Sequence, residues 1–111
     1  MHFTTLDGIA ITDVSHNASI KKQLIIPNGQ IPHLTNFSRA VFPPGEVAHA
    51  HNHSDMTEVF FVESGAGDMA VNDKVVPMTP GACITIEPTE VHELRNTGTT
   101  ELVVLYFGII N

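Results

Sequence analysis

The chain has 111 residues, a formal net charge of -7 and a single cysteine, Cys83. That length suits one domain that buries a core without staples. The acidic balance argues against nucleic acid, whose phosphates want a basic surface, and equally against an anionic membrane. One cysteine excludes a disulfide within the chain, and Cys83 is expected as a small core residue.

The first residues, "MHFTTLDGIAITDV", lack the basic segment and apolar core of a signal peptide. The plain reading is a cytoplasmic protein. Residues 1–20 carry either a helical turn or an extended arm along an edge. After them, short apolar blocks rich in β-branched and aromatic residues alternate with Gly, Pro, Asn and Asp clusters. This is the pattern of many short strands.

In chain order the predicted strands are "KKQLII", "NFSRAVF", "EVFFVES", "GDMAVN", "KVVPM", "ACITIE", "HELRN" and "ELVVLYFGII". The last of these is the longest apolar run and is too short to span a bilayer. Asn72-Asp73 reads as a two-residue hairpin turn, and Pro80-Gly81 and Thr97-Gly98 as further reversals. Such spacing predicts an all-β antiparallel sandwich or small barrel. The segment "PPGEVAHAHNH" reads as a break between strands.

Within that break, His49, His51 and His53 stand at alternate positions, with Glu58 downstream. On extended backbone alternate side chains share a face, so all three imidazoles can look into one cavity. Glu58 heads a stripe with Phe60 and Val62, which are expected to form a dry cavity wall. A carboxylate in that position is costly to bury unless paired or bound to a metal. Val59 and Phe61 point the other way, so the outer face is expected to pack on another sheet or subunit. His92, at the start of a later strand, adds a further imidazole. Histidines with a carboxylate suit a divalent transition metal: iron, manganese, nickel, copper, cobalt or zinc.

These residues carry a family resemblance. From Gly45 the chain reads G-x5-H-x-H-x4-E-x6-G through His51, His53, Glu58 and Gly65, like the first cupin motif. From Gly81 it resembles the second, G-x5-P-x-G-x2-H-x3-N, with Gly81, His92 and Asn96 in register. Glu87 stands at the motif's Pro position and Thr89 at its Gly position. The resemblance covers residues 45–65 and 81–96 of a single domain spanning 1–111, and implies a cupin jelly-roll barrel, the double-stranded β-helix. It implies one divalent transition metal per chain on His51, His53, Glu58 and His92. A register using His49 and His51 would fit neither Gly45 nor Glu58, which leaves His49 as a candidate acid–base or rim residue.

Tyr106, in the last strand, is a candidate pocket residue, and Asn96 is expected to fix a turn by bonding backbone. Arg39 is expected in a surface ion pair. Glu87, Glu90 and Glu93 read as solvated loop charges, and His2, His16 and His33 as exposed. Cupins run many reactions. The expectation is a metal-dependent enzyme on a small molecule, leaning to a dioxygenase, an oxidoreductase. Against it stand a redox-neutral lyase, isomerase or decarboxylase, and a non-catalytic ligand-binding module. A homodimer is expected because exposed edge strands need cover.

Overall fold

The computed structural model describes residues 1–15 and 17–111; His16, expected to be exposed, lies outside the described residues. The architecture is nearly all β, in two antiparallel sheets. The chain opens with a 3-10 turn, Leu6–Gly8, and then β1, Ile11–Val14. Both alternatives for the first twenty residues are thus realised, one after the other. The next strands are β2 (Asn17–Ile26), β3 (Leu34–Phe42), β4 (Val47–His51), β5 (Met56–Ser64) and β6 (Gly67–Val71). The last four are β7 (Lys74–Met78), β8 (Cys83–Ile86), β9 (His92–Asn96) and β10 (Leu102–Ile110).

The larger sheet runs β1-β2-β3-β10-β5-β8, and the smaller β4-β9-β6-β7. Their inner faces close on a core of Ile20, Ala40, Phe42, Phe60, Val62, Met69, Met78, Ile86, Leu94, Leu102 and Val104. All eight predicted strands are present. Of the other two, β1 falls in the segment read as a turn or an extended arm, and β4 was not predicted. β4 carries small and polar residues, "VAHAH", and reads as a loop because it lacks the apolar alternation that marks a strand.

Turn chemistry sets the connections. Asn72 takes φ 53°, tolerable for Asn, and joins β6 to β7 with Val71 paired to Lys74. Pro77, which cannot donate to a ladder, sits on β7 at a sheet edge. Gly65 takes φ 88°, and a Cβ there would strike the backbone of Glu101 and Leu102, so no other residue fits.

Asn96 ties the end of the barrel together. Its amide donates to the carbonyls of Phe42 and Thr100, both at 2.9 Å, and its oxygen accepts from Gly98 N–H. Arg39 pairs with Glu63 at 3.0 Å on the outer face of the large sheet. The expectation for Cys83 is corrected: it is exposed. It lies on edge strand β8, where Ile84 and Ile86 take the more buried positions. Alternation, not residue size, decided its side.

Candidate metal centre

The large sheet supplies Glu58 and the small sheet supplies the imidazoles. β9 brings His92 inward by plain alternation: His92, Leu94 and Asn96 are buried while Glu93 and Arg95 are partly exposed. β5 does the same for Glu58, Phe60 and Val62.

β4 does not alternate simply. Ala48 pairs with Leu94, but His51 pairs with His92, so His49 and Ala50 together oppose Glu93 alone. One extra residue is a β-bulge, and it reverses the facing of the residues beyond it. Ala48 and His51 therefore lie across from buried inward residues, and His49 is turned toward the rim. Its ring is 3.8 Å from Glu93 Oε1, with the side chain 76% exposed. His49, His51 and His53 all line one cavity, as the sequence allowed, but the bulge rather than plain alternation sets their facing.

Glu93 is no idle loop charge. Its Oε1 accepts the N–H of Ala50 at 3.1 Å and so satisfies a donor that the bulge takes out of the ladder. Glu90 is likewise engaged, accepting the Glu87 N–H at 2.7 Å. The turn between them places Thr89 at φ 74°, a left-handed backbone at the position where the motif carries Gly. Thr89 N–H donates to the His53 carbonyl at 2.7 Å and links the two histidine-bearing segments. His2 and His33 are exposed, as expected.

The structure brings together His51, Glu58 and His92, whose donor atoms all lie within 4.8 Å of one another. His53 stands beside this group: its Nε2 is 3.6 Å from Glu58 Oε1, and its ring centre is 6.4 Å from that of His92. Nδ1 of His51 lies 2.9 Å from the His49 carbonyl oxygen, and Nδ1 of His92 lies 3.0 Å from that of Glu90. A carbonyl only accepts, so both rings carry the Nδ1 proton, which leaves Nε2 as the nitrogen available to a metal.

Glu58 Oε1 and His92 Nε2 are buried without a hydrogen-bond partner, although 3.1 Å apart. Burial works to lower the His92 pKa, but the neighbouring Glu58 carboxylate and the Glu90 carbonyl outweigh it, and the imidazole sits above its ordinary value. Two such groups facing each other in the interior are satisfied either by a proton shared between them or by a metal cation. A divalent transition metal fits that donor set of imidazole nitrogen and carboxylate oxygen.

These residues close one end of a cavity of about 620 Å³. Phe42, Phe60, Leu94, Val104 and Tyr106 give it an apolar wall. Phe60 and Tyr106 stack with ring centres 5.6 Å apart. Burial pushes the Tyr106 phenol above its ordinary pKa, against a hydrogen bond with Ser38 that works the other way. Val62 is a correction to the expected wall: it is fully buried, in the core rather than on the cavity surface. Lys22, Ala40, Phe42 and Leu94 line the cavity without having been predicted. The signal available was the alternation Ile20, Lys22, Leu24 and Ser38, Ala40, Phe42, which needs one known inward residue to become a facing.

Comparison with known proteins agrees with this fold. The family model described as Cupin domain matches residues 38–108. An oxalate-binding protein of Thermotoga maritima is 33% identical over 66 residues, 60% of this chain and 54% of that protein. A glucose-6-phosphate isomerase of Thermococcus onnurineus is 31% identical over 83 residues, 63% of this chain and 44% of that protein. The chain thus spans about half the length of these two relatives. The crystal structure of a predicted oxalate decarboxylase from Thermotoga maritima superposes with a TM-score of 0.92 at 23% identity, covering 99% of this chain and 100% of that one. A sugar phosphate isomerase of the cupin superfamily from Silicibacter pomeroyi gives 0.84 at 18%, covering 99% and 76%. At these identities the likeness to solved structures is one of fold. With the family model matched over most of its length, the chain belongs to the Cupin domain family.

Proposed function

We propose that this protein is a metal-dependent enzyme acting on a small oxygen-rich organic molecule, with redox-neutral chemistry of the isomerase, lyase or decarboxylase kind. The observation that carries this reading is the orphaned pair Glu58 Oε1 and His92 Nε2 at the end of an apolar cavity. His51, Glu58 and His92 would hold the metal, with His53, beside Glu58, as the fourth residue of the set. A divalent ion held there supplies Lewis acidity and open positions for a chelating substrate. The rest falls to the chain. Phe42, Phe60, Leu94 and Val104 exclude water, which strengthens every polar contact inside. Tyr106, kept protonated by burial, is placed to donate a hydrogen bond to a substrate oxygen. His49, paired at the rim with Glu93, is the acid–base candidate nearest solvent.

The names of the two relatives divide between readings: a glucose-6-phosphate isomerase supports redox-neutral chemistry, and an oxalate-binding protein supports a ligand-binding module. A dioxygenase is the second reading, favoured by a donor set of three imidazoles and one carboxylate that leaves sites for dioxygen beside substrate. The test is metal content by mass spectrometry of tag-free protein beside Glu58→Ala and His92→Ala, and then a substrate panel with oxygen uptake recorded. Near-stoichiometric metal lost in both variants, with turnover and no oxygen consumed, is the expected result. Oxygen uptake transfers the case to the dioxygenase. Tight binding of unchanged ligands makes the protein a binding module, and refusal of metal overturns the reading.

A symmetric homodimer in the cytoplasm belongs to the same proposal. Phe61 is 41% exposed on the outer face of the large sheet, beside the Phe37–Phe107 pair. That face asks for apolar cover. An exposed, unpaired Cys83 suits a reducing compartment. A monomeric mass by light scattering at micromolar concentration counts against the dimer.

A further inference from the structure

The charge inside the cavity is opposite to the charge of the chain. Twelve acidic residues outweigh five basic ones over the whole sequence. Yet Glu58 is the one carboxylate on the cavity wall, and Lys22 the one lysine or arginine, among the described residues. Glu58 belongs to the metal cluster. Lys22 makes no ion pair or side-chain hydrogen bond among the described residues, unlike Lys21 beside it, which pairs with Asp13 at 2.6 Å. With a divalent ion on Glu58, the lumen is left with net positive charge at both ends.

Register places the two ends. Lys22 pairs with Ala40, Ala40 with Val104, and Val104 with Val62, so Lys22 stands level with Val62, four residues along β5 from Glu58. Three strand spacings separate β2 from β5, about 14 Å, and four residues of strand add about 13 Å at right angles. Two long side chains reaching inward leave a gap on the order of 10 Å between the ammonium and the cluster. Apolar wall lies between. A solvated lysine is the ordinary use of the residue, but this one lies on the inward row with Ile20 and Ala40, at the wall of a cavity of about 620 Å³.

We infer that the substrate is an elongated organic anion, with an oxygen chelate at one end for the metal cluster and a carboxylate or similar anion at the other for Lys22. The inference rests on the metal reading above and adds the substrate class to it. An acid as short as oxalate fills the metal end alone and leaves Lys22 untouched. Lys22 is a specificity residue, not part of the reacting centre.

The test is calorimetry on protein carrying the metal it retains on purification, or manganese where it retains none. The ligands are matched pairs of 2-oxo acids of six to nine carbons, each pair differing only in a terminal carboxylate. Wild type is expected to bind at least one dicarboxylate tenfold or more tightly than its monocarboxylate twin. Lys22→Met, which keeps the aliphatic stem, makes the twins equal, and Lys22→Arg keeps the preference. Unchanged melting temperature in both variants shows the fold intact. No preference in wild type, a preference that survives Lys22→Met, or no binding of either acid overturns the inference. The same titration on metal-stripped protein separates the two claims. If stripping the metal leaves both affinities unchanged while the Lys22-dependent preference persists, the metal reading fails and the anion site stands.

Discussion

β4 and β9 lie side by side and both deliver an imidazole to the same point, yet they do it by different means. β9 sits between β4 and β6, paired along its length, and His92 is 2% exposed. β4 is an edge strand, bulged at His49–Ala50, and its histidines are exposed. Unbroken pairing of β9 with β6 and its own plain alternation make the facing of His92 readable from parity. The edge strand reaches the same geometry only through an extra residue, held by the Glu93 carboxylate. A bulge beside a functional site re-aims a side chain that alternation would send elsewhere.

The sharpest way to break this comparison is to set His92→Ala beside a deletion of Ala50. His92→Ala is expected to cost metal affinity about 100-fold or more, whereas removing the extra residue leaves His51 two places from Ala48, still opposite His92, and is expected to leave affinity nearly unchanged. Circular dichroism should show the sheets retained. A large loss in the deletion variant would mean that the bulge itself, and not the pairing of His51 with His92, aims the ring.

Glu93→Ala tests the same device more gently. It leaves the Ala50 N–H without its acceptor and is expected to weaken metal binding about tenfold, the size of an outer-shell effect. His49→Ala serves as its control and should leave affinity nearly unchanged, since that ring is turned to solvent.

Thr89→Gly sharpens the contrast from the β9 side. A non-glycine residue in the left-handed region costs about 1–2 kcal/mol, and glycine returns part of this as chain entropy, about 0.5–1 kcal/mol. The expected net is a gain of about 0.5 kcal/mol, or a few degrees in melting temperature. A loss of stability would show that the Thr89 side chain makes a contact outweighing its backbone strain.

The smallest effect lies away from both strands. The hydrogen bond from Arg39 holds the Glu63 carboxyl below its ordinary value. A carboxyl whose folded pKa is depressed adds stability above the unfolded pKa and loses it as pH falls through the folded one. Arg39→Gln should therefore lower stability slightly near neutrality and not at all at strongly acidic pH. An equal loss at both pH values would put the effect of Arg39 in packing instead.

Much of this molecule was legible before any coordinate. Apolar alternation located eight strands, since period two is set by the backbone itself. The glycines of the cupin motifs marked backbone positions with φ above 80° at Gly45, Gly65 and Gly81. The cupin resemblance singled out His51, His53, Glu58 and His92, of which the fold gathers His51, Glu58 and His92 within 4.8 Å and leaves His53 beside them. Asn96 was read as a turn-fixing residue, and its three hydrogen bonds to backbone do that.

What the fold alone decided depends on pairing between distant segments. The bulge in β4 exists only relative to β9, so no count along "HAHNH" could reveal that His49 faces Glu93. Lys22 becomes a cavity residue because β2 pairs with β3 and extends the large sheet past the small one. Cys83 is outside because β8 is an edge strand whose isoleucines take the inner positions. Local sequence fixes the period and the chemical character of each strand. Facing and register come from which strands meet, and that is a property of the closed barrel.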